Sequence, residues 1–200
     1  MKVNEGNAIE LPTAGADPGS RAPAPGSLRL IQALVNTLNA ETGRDLLGTA
    51  GEAARWLATA RLMPAGARLT GAQHGVLLEL REAIRQVLSD HAEHRDDPEA
   101  AGRLTMALAC CRLALAVNPA GGVRLVSADH DLFSRVVGEI AMAIAAAAAA
   151  GTWGRLKCCP GLRCGWAFYD RSASSRSRWC SMQLCGARSK MRAYRGRQAR

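Results

Sequence analysis

Two hundred residues allow one ordinary domain and a small appended module, and an apolar fraction of 48% is normal for a globular chain. The net charge of +9 is unevenly placed: residues 1–150 hold 14 of the 26 Lys and Arg and 16 of the 17 Asp and Glu, while residues 151–200 hold 12 and 1. A near-neutral body with a basic end points to a polyanion, either nucleic acid or an anionic membrane surface. The sequence has no uninterrupted apolar run of about 18 residues, and "MKVNEGNAIELPTAGADPGSRAPAPGS" lacks the apolar core of a signal peptide. The expectation is a cytoplasmic protein in a reducing setting, with no membrane partner.

Residues 1–27 are rich in Pro, Gly, Ala and Ser, and so are expected to form a disordered tail that cannot bury enough surface to offset its ordering. From Leu28 the pattern changes. Leu30, Ile31, Leu34, Val35 and Leu38 recur at helical spacing and predict an amphipathic helix ending near Gly43. Thr49 with Glu52 has capping-box spacing and opens a second helix through Trp56 and Leu57 that stops before Pro64. Thr70 with Gln73 repeats the device for a third, whose stripe (Val76, Leu77, Leu80, Ile84, Val87, Leu88) is expected to face away from Arg81, Glu82 and Arg85. Asp97 and Pro98 start a fourth helix carrying Leu104, Leu108 and Cys111. "RLALAV", "NPAGG" and "VRLVS" read as a short hairpin around a glycine turn. Asp129 is placed to cap a fifth helix running through Leu132, Val136, Ile140 and Ile144 to about Ala150. The fold class is mainly α: a helical domain over residues 28–152 with one short β-hairpin, then a small module over residues 153–200.

That module contains Cys159-x4-Cys164-x15-Cys180-x4-Cys185. Two pairs of thiolates on tight turns supply the four tetrahedral ligands that zinc prefers. About fifty residues with few aliphatics need such a staple, and in a reducing compartment the clustering favours metal over disulfides. Cys158 is the extra thiol, free and incidental. Cys110 and Cys111 read as small core residues, and His91 and His94 as solvated. "GWAFYDRS" and "SRSRWCS" read as the strands of a hairpin, and "ARSKMRAYRGRQ" as a helix. Knuckle, hairpin, second pair and helix is the order of a treble-clef finger, with Cys185 in or near the first turn of the last helix. Trp166, Phe168, Tyr169 and Trp179 then form its small core.

"WCSMQLCGARSKMRAYRGR" and "LKCCPGLRCGWAFYDRS" resemble the CGNR zinc finger, which ends bacterial proteins whose amino-terminal part is the ABATE domain, described as a stress-induced transcription regulator. "VNTLNAETGRDLL", "EAARWL" and "GGVRLV" are similar to that domain. The resemblance covers residues 28–200. It implies Zn2+ held by Cys159, Cys164, Cys180 and Cys185, a DNA-binding finger, and a body that senses a signal or forms a homodimer. One position departs from the family name: Ala187 stands where the motif has Asn, which removes a side chain able to cap a turn or contact nucleic acid.

In the last helix Arg188, Arg192 and Arg195 fall on one face with Lys190 and Arg197 beside it, and Arg176 and Arg178 precede the second cysteine pair. Arginine forks suit phosphates and guanine edges. The function expected is a zinc-dependent DNA-binding transcription regulator. Two other readings share the same charge: a finger that docks on RNA polymerase or another acidic protein, and an RNA-binding accessory factor. Nothing assembles nucleophile, base and orienting group, so no enzyme is expected.

Overall fold

The computed structural model describes residues 11–198, in which six helices and two two-stranded antiparallel sheets follow one another. The order is α1 (Leu28–Val35), α2 (Ala50–Thr59), α3 (Gly71–Glu93), α4 (Pro98–Leu108), β1 (Leu113–Val117), β2 (Val123–Ser127), α5 (Leu132–Ala149), β3 (Leu156–Cys158), β4 (Ala167–Tyr169) and α6 (Ala187–Gln198). The mainly helical class, the first hairpin and the final helix are as expected. Residues 1–10 of the expected tail lie outside the described residues.

The caps act where their chemistry places them. Thr49 accepts the Glu52 amide, Thr70 and Gln73 form a complete capping box, and Asp97 accepts the amides of Glu99 and Ala100. Asp131, not Asp129, caps α5 by accepting the Ser134 amide. Asp129 instead binds the backbone and side chain of Arg112, closing the base of the β1–β2 hairpin. At the hairpin's turn, Asn118 accepts the amides of Ala120 and Gly122.

The main core lies between α1, α3 and α5, with Ile31, Leu34, Leu57, Leu77, Leu80, Ile84, Val136 and Ile140 fully buried. α5 is long and apolar enough to cross a membrane by length and composition, with a mean hydropathy of 1.6. Its stripe of Phe133, Val136, Val137, Ile140, Ala143 and Ala147 is buried in this core.

α1 stops at Val35, well short of Gly43. Its continuation would take Asn36 and Thr37 away from the polar contacts they make. Asn36 accepts the Ala167 amide at 2.7 Å and donates to the Ala167 carbonyl at 2.9 Å, so one side chain pairs with β4 as a neighbouring strand would. The expectation for α3 also needs correction. Arg81 is buried, with a two-pronged bond to Asp45 at 2.6 and 3.0 Å and a third to Thr37. Arg85 reaches the carbonyls of Val35 (2.7 Å) and Gly165 (2.6 Å), and Glu82 holds both guanidinium groups.

The tail expectation fails for residues 11–27, which form a strap across α1 and the C-terminal module. Pro12 accepts the Trp56 indole N–H, the Ala14 amide donates to Asn36, and the Ala24 amide donates to Gln32. Arg21 donates to the carbonyls of Cys180 (2.7 Å) and Trp179 (3.0 Å), with its guanidinium 4.8 Å from the Phe168 ring centre. Gly19 lies so close to the Cys180 carbonyl that a Cβ there would collide with it. A composition poor in apolar residues does not reveal such ordering, because the strap is held mainly by hydrogen bonds to polar groups already in place.

Candidate metal centre

β3 and β4 form one hairpin, with Leu156 paired to Tyr169, Lys157 to Phe168 and Cys158 to Ala167. Alternation sends the two faces to different environments. Leu156, Cys158, Ala167 and Tyr169 complete the main core of the helical body, whereas Phe168 joins Trp166, Trp179 and the cysteines in a second, smaller core. Cys158 is therefore a buried core thiol of the body, and burial pushes it up to about 12. Cys159, one residue on, faces the other way. The hairpin expected over "GWAFYDRS" and "SRSRWCS" is not formed: only Ala167–Tyr169 is a strand, and its partner lies upstream of the first cysteine pair. Residues 171–179 form a loop instead.

A buried ion pair organises that loop. Lys157 Nζ is 3.0 Å from Asp170 Oδ2, both side chains are fully buried, and Lys157 also donates to the carbonyls of Ser175 and Ser177. Burial raises the Asp170 pKa, but hydrogen bonds from Ser172, Lys157 and Ser177 outweigh it and hold the carboxyl well below the usual range. Sequence reasoning missed this pair, because a lysine beside cysteines in a basic module carries no mark of burial.

The loop delivers Cys180 to the first pair. The Sγ atoms of Cys159, Cys164, Cys180 and Cys185 all lie within 4.8 Å of one another. The Cys164–Cys180 separation is 3.6 Å and the Cys180–Cys185 separation 3.7 Å. Four sulfurs about 2.3 Å from a tetrahedral zinc are about 3.8 Å apart, so the cluster has the size the ion requires. Backbone bonds shape the first turn: the Cys159 amide donates to Trp166, the Cys164 amide to Gly161 and the Gly165 amide to Cys159. Gly161 is needed here, since a Cβ would meet Cys185 Sγ and Cys164 Cβ at 3.2 Å. Of the second pair, Cys185 sits on a π-helical turn (Met182–Gly186) that begins two residues after Cys180, and Ser181 caps it by accepting the Leu184 amide.

The thiols are too close to ionise independently. Hydrogen bonds from Cys164 and Cys180 draw the Cys159 thiol down, and that interaction with Cys159 pushes Cys164 and Cys180 up. Burial, then the Cys159 charge, raises Cys185. A divalent cation removes this repulsion and lets all four serve as thiolates.

The π-turn runs directly into α6, so Cys185 lies in the turn that starts the helix and Ala187 is its first α-helical residue. With no interruption there, the helix needs no cap at 187. α6 buries none of its residues. Lys190, Arg192, Arg195 and Arg197 are exposed on it, and Arg176 is exposed on the loop, none in an ion pair among the described residues. Two others are tied to the body: Arg188 pairs with Glu41 at 3.0 Å, and Arg178 with Glu93 at 3.2 Å. Met182, Leu184, Met191 and Tyr194 are exposed as well.

Other candidates fall elsewhere. Cys110 is exposed and Cys111 half-buried at the end of α4, so neither is a fully buried core residue. His91 is half-buried, 2.9 Å from the Leu156 carbonyl and edge-on to Trp153, and not solvated as expected.

A helical body joined through a hairpin to a four-cysteine centre with a basic helix is a zinc-finger protein of two-part construction. The comparisons agree. The CGNR zinc finger matches residues 155–198, and the family described as "Putative stress-induced transcription regulator", ABATE, matches residues 28–153. The chain belongs to the ABATE family, with a CGNR zinc finger at its C-terminal side. A search of curated proteins found no match.

Proposed function

We propose that this protein is a transcription regulator whose zinc-bound finger binds DNA through α6. The observation that carries this reading is the state of that helix. All its basic side chains are exposed, only Arg188 is ion-paired among the described residues, and the metal centre anchors its first turn. A twelve-residue helix without packing is marginal in water, and this one carries a charge that an anionic partner would neutralise. The cysteine set selects Zn2+ by its softness, its tetrahedral size and its closed coordination, which leaves no open position for catalysis. The reducing cytoplasm suits four free thiols.

DNA binding by the full chain should weaken with log salt at a slope of about −4.5 if five phosphates are neutralised. Zinc should be found at one per chain, and Cys180→Ser should lose both zinc and the DNA shift. Arg192→Ala with Arg195→Ala should keep zinc and lower the slope by about two. A salt-insensitive shift, or none with zinc in place, overturns the reading. Sedimentation of the same protein on and off DNA checks the expected homodimer, and a strict monomer in both conditions would count against it.

A second reading has its own observation. Leu184 and Met191 are exposed and line one groove with Arg188, Arg192 and Arg195, which suits an acidic protein partner such as a surface of the transcription machinery. Loss of a protein partner on Met191→Ser, with DNA binding absent throughout, would select it. RNA in place of DNA in the same salt titration tests the third.

A further inference from the structure

Under the strap lies a cleft of about 310 Å³ that the reading of α6 leaves unused. Leu11 and Asp17 of the strap, Arg29 and Ala33 of α1, and Trp166 beside the metal centre contribute to its walls. That volume is at the lower end of the range that takes small organic ligands. Its polar groups are nearly all engaged. Asp17 accepts the amides of Gly19 and Arg21 on one oxygen and the Trp166 indole N–H, at 3.1 Å, on the other. The side-chain amides of Gln32 and Asn36 are bound to Ala24 and Ala167, and Arg21 is bound to the carbonyls of Trp179 and Cys180. The Arg29 side chain, half-exposed on the wall, makes no hydrogen bond or ion pair among the described residues.

We propose that this cleft binds a small monocarboxylate with an apolar body. The planar fork of Arg29 matches a carboxylate in two-pronged fashion. Leu11, Ala33 and the Trp166 ring supply the apolar wall for the rest of the molecule. The Asp17 carboxylate in the same wall opposes a second negative charge, which disfavours phosphate dianions and dicarboxylates. The lining also connects the ligand to the metal centre. Trp166 follows Cys164 by two residues, and Arg21, on the same strap, holds the Cys180 carbonyl. A ligand there would bias the strap, and through it two of the four cysteines.

The inference rests on the expectation that the helical body senses a signal and adds a ligand class to it, and it is tested without DNA, so it and the DNA-binding reading can each fail alone. Zinc-loaded full-length protein, labelled with nitrogen-15, is titrated with benzoate and with hexanoate while the Trp166 indole N–H resonance is followed. Benzyl alcohol serves as the uncharged control. The expected result is a saturable shift with at least one acid, at least tenfold weaker for benzyl alcohol and at least tenfold weaker in Arg29→Gln, with zinc content unchanged. Ala16→Trp, at an exposed position on the cleft wall, should abolish the shift. No saturable shift with either acid, or equal affinity in Arg29→Gln or Ala16→Trp, overturns the proposal.

Discussion

Asn36 shows how much one side chain contributes to placing the finger. Both backbone groups of Ala167 are buried against it, and truncation leaves the Ala167 amide without its partner and the Ala167 carbonyl with only the weaker bond from Gln32. Asn36→Ala should cost about 2–4 kcal/mol in denaturant unfolding, more than the removal of a single average hydrogen bond. His91 provides a pH signature. Burial lowers its pKa, the Lys157 charge adds to this, and the Leu156 carbonyl and Asp90 oppose it. A histidine depressed in the folded state takes up its proton more readily when unfolded. Its contribution is therefore fully present above about pH 6.5 and is lost as pH falls from there toward the folded-state value. Unfolding midpoints at pH 7.5 and 5.5 should show a larger drop for wild type than for His91→Asn. Neither role is visible in the residue string, since an asparagine after an apolar run or a histidine among charges reads as surface until its neighbours are known.

At the scale of elements, period and cap chemistry place most helices correctly, because α2, α3 and α4 carry their start signals in their own first turns. The errors lie where a strand chooses its partner. β4 contains the expected aromatic residues, but it pairs with β3 across the first cysteine turn, a choice set by the zinc-sized turn and by the two-sided alternation of Leu156–Cys158. The β1–β2 hairpin, expected from its turn residues, lies against α5 at its open end, where Leu113 and Ser127 approach Gly138. It leaves Leu115, Val117 and Val123 largely exposed on one face, with Leu125 less so. Val117→Lys and Val123→Glu, which face each other across the strands, should each change stability by less than about 0.5 kcal/mol, as read by thermal unfolding. A loss of several kcal/mol would mean that this face is covered in solution.

For the whole molecule, the division into a body over 28–152 and a finger over 153–200 describes the chain better than it describes the cores. Leu156 and Tyr169 each contribute burial worth about 1.5–3 kcal/mol to the body's core, while the body's Arg85 and Asn36 and the strap's Arg21 hold the finger's backbone. Residues 151–200 made alone should still bind one zinc through four thiolates, yet show no cooperative thermal transition, whereas the full chain with zinc should unfold in one. Independent cooperative melting of that fragment would separate the two cores. The amino-acid sequence by itself determined the helical class, the four cysteines that cluster and the basic final helix, because each rests on local spacing: a 3.6-residue period, paired thiols on turns, and a charge count. Only the tertiary structure decided that Cys158 belongs to the body, that Lys157 and Asp170 are buried together, and that residues 11–27 strap the finger down. Those outcomes depend on which distant groups meet, and an unpaired polar group in the chain acquires its meaning from the buried partner that folding brings to it.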